Sequence, residues 1–95
     1  MTLSDDRIAK IHQKLAVLKP VSVQIDDESA AHAGHAGAAT GAGHFRVTVI
    51  AQNFHGLKLI ERHRLVYDAV GDLMRTDIHA LVISAWAPDE VPQQL

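Results

Sequence analysis

From Leu57 to Trp86 the chain reads LKLIERHRLVYDAVGDLMRTDIHALVISAW, and this stretch decides the fold because its apolar period changes once. Leu59, His63, Val66, Val70 and Leu73 recur at helical spacing as far as about Met74. Ile78 to Trp86 is instead a run of aliphatic and β-branched residues, apolar on both faces, which reads as a well-covered strand. A helical segment of this length running into a strand is a crossover, long enough to set that strand parallel to a neighbour. Gly71 weakens the last turns, and a break near Glu61–Arg62 would divide the segment in two.

Upstream lie two alternating stretches. Val21, Val23 and Ile25 alternate with Ser22, Gln24 and Asp26, and Phe45, Val47 and Val49 alternate in the same way. Each reads as a half-buried strand, and the two together as an antiparallel hairpin. Before them, Ser4 is placed to cap a helix whose first turn carries Asp5 and Asp6, favourable at the positive end of the helix dipole. Ile8, Ile11, Leu15 and Leu18 follow at helical spacing until Pro20 stops the segment. Residues 52–56 read as a turn. The order is helix, strand, strand, one or two helices, strand (αββααβ). It predicts an α+β domain with a three-stranded mixed sheet and helices on one face, spanning residues 1–95 as a single unit. Pro88 and Pro92 close the fold, with residues 88–95 expected to fray.

Between the two early strands, residues 29–43 contain glycine, alanine and histidine but no large apolar side chain. Nothing there anchors to a core, which predicts a mobile loop, and long loops in compact domains are often functional. This loop carries His32 and His35.

Composition narrows the function. The chain has 95 residues, 47% of them hydrophobic, and a formal net charge of -2. That balance argues against a general nucleic-acid binder, though not against a local basic patch. Cysteine is absent, which excludes a disulfide framework, a thiolate zinc site and a cysteine nucleophile. Any metal ligand supplied by this chain is therefore histidine or carboxylate. There are seven histidines against nine lysines and arginines combined, and histidine is the commonest metal ligand. The acidic start, Met1 to Asp6, lacks a signal-peptide pattern and no apolar run approaches a membrane span, so a soluble, cytoplasmic protein is expected, with no membrane partner.

Three stretches taken together resemble the BolA family. They are Asp27-Glu28-Ser29 before the glycine–histidine loop; Gly43-His44-Phe45-Arg46-Val47 with Phe54-His55-Gly56; and Arg62-His63-Arg64-Leu65-Val66-Tyr67 with Ile78-His79-Ala80-Leu81. The resemblance extends from about Ile8 to Pro88, and the family fold, similar to type II KH domains, has the element order read above. The resemblance implies a non-enzymatic adaptor for a monothiol glutaredoxin, sharing a [2Fe-2S] cluster in iron–sulfur trafficking or iron homeostasis. The partner supplies a cysteine and a glutathione thiol. This chain supplies His79 and a loop histidine, His35 by its distance from His44-Phe45, with His32 as competitor. Two imidazoles on one iron remove negative charge and raise the reduction potential, as in Rieske centres.

The remaining candidates have plainer readings. His12 falls on a solvated helix face, His44 is structural, and His63 is a packed, hydrogen-bonded histidine. Arg62 and Arg64 belong to a helix surface, with Arg64 spaced to pair with Asp68. With Lys58 they also form the only patch suited to a glutaredoxin-bound glutathione or to phosphate. That patch carries the alternative reading, a BolA-type transcriptional regulator that binds DNA weakly through its helical region. The KH-like clamp motif is missing there: Gly34-His35-Ala36-Gly37 lies between strands, not helices. No catalytic constellation is present. Ser29 and Ser84 lack a nucleophile elbow, and the Asp27-Glu28 pair has no opposing acid and reads as a strand-end turn. No small-molecule substrate is expected.

Overall fold

The computed structural model describes residues 2–29 and 41–91. The predicted loop therefore lies for the most part outside the described residues, as do His32, His35 and residues 92–95.

The elements are α1 (Leu3–Leu15), β1 (Ser22–Asp27), β2 (Gly43–Ile50), α2 (Leu59–Val70), α3 (Leu73–Thr76) and β3 (Ile78–Trp86). Their order matches the expected αββααβ. The strands form one sheet in the order β1-β2-β3. β1 pairs antiparallel with β2, Ile25 opposite Val47, and β3 pairs parallel with β2, Ile83 opposite Val47. The two helices of the crossover make that parallel pairing possible.

Several boundaries differ from the sequence reading. α1 is capped by Thr2, not Ser4: the Thr2 hydroxyl accepts the Asp5 N–H at 3.0 Å and the Asp5 carboxylate accepts the Thr2 N–H at 3.3 Å. This reciprocal box satisfies two otherwise orphaned donors. Ser4 instead donates to Asp27 Oδ2 at 2.6 Å, tying α1 to the end of β1. The crossover divides at Gly71, where φ is +53°, and not near Glu61–Arg62. A left-handed residue ends a helix there, and glycine adopts that conformation without strain. Residues 88–90 are not frayed: they form a 3-10 turn held by Glu90.

One core joins the helices to one face of the sheet. Ile11, Leu15, Val66 and Val70 from the helices pack with Phe45, Val47, Val49, Ile78, Leu81 and Ile83 from the strands. Phe54, read only as part of a turn, is fully buried among them. Leu59, expected on the buried side of α2, is 65% exposed. Among the described residues no helix lies over the other sheet face, and β3 is partly open on that side: Val82 is 46% exposed. Alternation of burial along β2, with Phe45, Val47 and Val49 inward, follows from the period of two in a strand.

Candidate functional site

β1 ends, β2 begins and β3 begins at one end of the sheet. Ser29 and Gly41, the described residues that flank the histidine loop, stand at this end, and so does His79. A network of short contacts fixes it. Gly43 donates its N–H to the Asp77 carbonyl at 3.0 Å, Glu28 donates to the His44 carbonyl at 2.7 Å, and His44 donates its N–H to Ser29 Oγ at 3.1 Å. From α1, Arg7 donates to the Gly41 carbonyl at 2.6 Å, and Lys10 Nζ lies 3.3 Å from Asp77 Oδ2.

The carboxylates of this frame are held ionised. The Thr76 hydroxyl at 2.7 Å is the largest influence on the Asp77 pKa and lowers it; burial, next in size, opposes it, and Lys10 and Arg7 add to the lowering. At Asp27, burial opposes the charge most strongly, but hydrogen bonds from Ser29 and Ser4 and the field of Arg7 together outweigh it and lower the pKa. Asp27 thus closes a strand-end turn, accepting the Ser29 N–H at 2.8 Å, as the sequence suggested.

His79 is exposed at the start of β3. Its placement depends on a bulge: Gly43 pairs with Ile78, but His44 pairs with Ala80, so His79 is the extra residue. Bulges re-aim a side chain at the edge of a ladder. The His79 ring stands against the His44 ring, centroids 5.1 Å apart with planes inclined at 51°. Sequence reasoning assigned His44 a structural role and missed this neighbour, because only the bulge brings the two rings together. Among the described residues no group of three or more His, Cys, Asp or Glu is arranged to hold a metal ion.

The basic candidates sit elsewhere. Arg62 donates to the carbonyls of Ala85 and Leu57 at 3.1 and 2.9 Å and makes a two-pronged contact with the Glu90 carboxylate. Its side chain is only 12% exposed. The expected surface arginine is therefore an internal clamp joining α2, the outer edge of β3 and the last turn, and its donors are engaged within the domain. Arg62 holds the Glu90 carboxyl down at a pKa of about 2, helped by the Ala87 N–H. Ala85 is six residues along β3 from His79, about 20 Å at strand rise, so the structure does not bring Arg62 to the histidine pair. Lys58 and Arg64 remain exposed, and the expected Arg64–Asp68 ion pair does not form. His63 is half-buried beside the groove between α2 and β3, as expected of a packed residue, but its buried Nε2 has no hydrogen-bond partner.

Fold and site define a small α+β domain that presents an exposed imidazole beside the root of a glycine–histidine loop. The family model described as BolA-like protein matches residues 15–90, and the chain belongs to the BolA family. "Protein BOLA1, chloroplastic" of Arabidopsis thaliana is 37% identical over 94 residues, which cover 95% of this chain and 59% of that protein. The chain therefore spans little more than half the length of that relative. The solved structure of BolA1 from Arabidopsis thaliana superposes with a TM-score of 0.76 at 36% identity, covering 90% of this chain and 96% of that one. The "DNA-binding transcriptional regulator BolA" of Escherichia coli is 32% identical over 82 residues, 85% of this chain and 75% of that protein. No helix among the described residues is long and apolar enough to cross a membrane.

Proposed function

We propose that this domain is a non-enzymatic adaptor that binds a monothiol glutaredoxin and co-ligates a [2Fe-2S] cluster. The observation that carries the reading is the position of His79, exposed at the sheet end from which the histidine loop departs. In this reading His79 supplies one iron ligand and His35 the other, with His32 as its competitor. The donor set supports a shared cluster and not a resident one. The chain has no cysteine, and imidazoles alone do not complete the coordination of two irons, so thiolates come from the partner and its glutathione. When bound, the cluster supplies electron-transfer and transfer-competent iron chemistry; this chain orients an imidazole on a strand start fixed by the core residue Ile78. A ligand on a firm strand and a ligand on a loop suit a cluster that is received and then passed on.

The test is to mix the full chain with cluster-loaded monothiol glutaredoxin and record the visible spectrum and the mass of the complex. A heterodimer with an altered cluster spectrum is expected. Unchanged glutaredoxin bands and no complex would overturn the reading.

A second reading, DNA binding, is favoured by the name of the Escherichia coli relative. Its physical basis here is narrow. Arg62 is engaged by Glu90, which leaves exposed Lys58 and Arg64 to face phosphate.

A further inference from the structure

We propose that the outer edge of β3, where it borders α2, is a docking site for an extended peptide segment with an aliphatic centre and basic flanks. The site lies toward the end of β3 opposite His79 and needs neither a glutaredoxin nor a cluster. It goes beyond the adaptor reading and stands or falls separately from it.

Backbone direction carries the inference. β2 pairs with one side of β3, and no described strand pairs with the other. The Trp86 carbonyl faces the β2 side, where it accepts from Ala51 at 3.0 Å. The carbonyls of Leu81 and Ala85 face the other way and accept from Tyr67 and Arg62 of α2 at 3.3 and 3.1 Å. Peptide groups alternate in direction along a strand, so the N–H and C=O of Ile83 point to the same outer side. Tyr67 and Arg62 thus plug the edge on either side of Ile83, and among the described residues nothing takes its outward groups. An unpaired edge is a template for a further strand. One peptide residue set opposite Ile83 makes the close pair of hydrogen bonds of an antiparallel ladder.

The groove beside this window defines the occupant. Its volume is about 460 Å3, and Leu59, Ile83, Ala85 and Trp86 line it together with Arg62 and Glu90. That lies within the range of ligand-enclosing pockets, about 300–1,000 Å3. Leu59 is 65% exposed, so a large apolar side chain already stands at its rim. Such walls suit aliphatic side chains. Charge sets the flanks: the carboxylates of Glu90 and Asp89 both act on the single guanidinium of Arg62. Acid therefore exceeds base where β3 runs into the last turn, and among the described residues Asp89 has only the His55 ring, 3.5 Å away, as a partner. Lysines beyond the aliphatic centre meet that excess.

The experiment is an amide NMR titration of the full chain with the N-acetylated, C-amidated peptide Lys-Lys-Val-Val-Val-Lys-Lys. The amides of Leu81, Ile83 and Ala85 are expected to shift with that of Leu59 on one saturation curve. Leu59→Ser should weaken binding about tenfold or more, while Ile60→Ser, at a residue 64% exposed but outside the groove, stays within about twofold of wild type. Two control peptides should each bind at least about tenfold more weakly: one with glutamates for the lysines, and one N-methylated at every valine, which removes the backbone donors. The proposal is overturned if no saturable shift occurs up to millimolar peptide, if either control peptide binds as well as the parent, or if Ile60→Ser weakens binding as much as Leu59→Ser. Sedimentation of the chain alone completes the test: self-association abolished by Leu59→Ser would assign the groove to a second copy and overturn the peptide. A failed glutaredoxin complex leaves the peptide result intact, and a failed peptide titration leaves the adaptor reading intact.

Discussion

Gly43 is where the sheet end meets the core, and its replacement should be disproportionately harmful. A Cβ added there would lie 2.6 Å from Phe45 Cε2, 3.0 Å from Phe45 Cζ and 3.0 Å from Ser29 Oγ. Carbon atoms normally rest about 3.5–4.0 Å apart, so the ring must withdraw by about 1 Å. Phe45 is 1% exposed and enclosed by the core, so the ring has little room to give. Overpacking of this kind costs about 1–3 kcal/mol. For a domain of this size each kcal/mol lowers Tm by about 4–8 °C, giving a fall of roughly 4–24 °C for Gly43→Ala. Thermal and urea unfolding followed by circular dichroism measure it, with an unchanged urea slope expected because the surface exposed on unfolding is the same. The cause is isolated by a cycle with Phe45→Leu. Trimming the ring removes the clash, so the double variant should be less destabilised than the sum of the singles. Gly56→Ala is the control: φ is +79° but no atom lies within 4 Å, so its backbone strain should add simply with Phe45→Leu. A wild-type Tm for Gly43→Ala, or strict additivity with Phe45→Leu, would refute the steric account.

The Glu90 carboxyl has its pKa lowered from 4.5 to about 2 in the folded protein. Its contribution is therefore complete above the unfolded pKa near 4.5 and is lost as pH falls toward 2, and Glu90→Gln should flatten the Tm-against-pH curve in that window while leaving its shape above pH 5 unchanged. The protein alone, after attempted cluster reconstitution, should be colourless, since it has no cysteine; a persistent brown monomer would contradict this. Binding to duplex DNA at physiological salt should be micromolar or weaker, as expected of few phosphate contacts from Lys58 and Arg64. Tight, sequence-selective binding that survives high salt would instead favour the regulator reading.

The strands and the crossover were legible because alternation and helical spacing report directly which side of an element is buried. Val23, Ile25, Phe45, Val47 and Val49 fall where their period placed them. Capping was less legible: Thr2 and Ser4 are both competent caps, and Asp27, twenty-three residues away from Ser4, takes the Ser4 hydroxyl. The exposure of Val82 was hidden because an apolar strand reads alike whether one face or two are covered. The candidate site was legible at His79, through the resemblance of Ile78-His79-Ala80-Leu81. Its partner ring was not, because the bulge between Gly43 and His44 is a property of pairing between strands more than thirty residues apart. Arg62 was misjudged for the same reason, since Glu90 and the Ala85 carbonyl reach it only after β3 has returned alongside α2.

The central claim is that imidazoles of this chain ligate a cluster held jointly with a glutaredoxin, and visible circular dichroism of the mixed complex tests it most directly. Wild type, His79→Ala, His35→Ala and His32→Ala would each be mixed with cluster-loaded monothiol glutaredoxin, and cluster signal and lifetime followed. The His79→Ala chain should fold, because His79 is exposed, and circular dichroism in the far ultraviolet checks that each of the four chains is folded. His79→Ala should lose most of the signal, since its backbone is fixed and its ring pre-oriented. His35→Ala should lose less, because ordering a loop ligand costs entropy and His32 is available to replace it. A wild-type signal for His79→Ala with loss for His35→Ala would reverse the ranking of the ligands, and a wild-type signal and lifetime for all three variants would contradict histidine ligation itself.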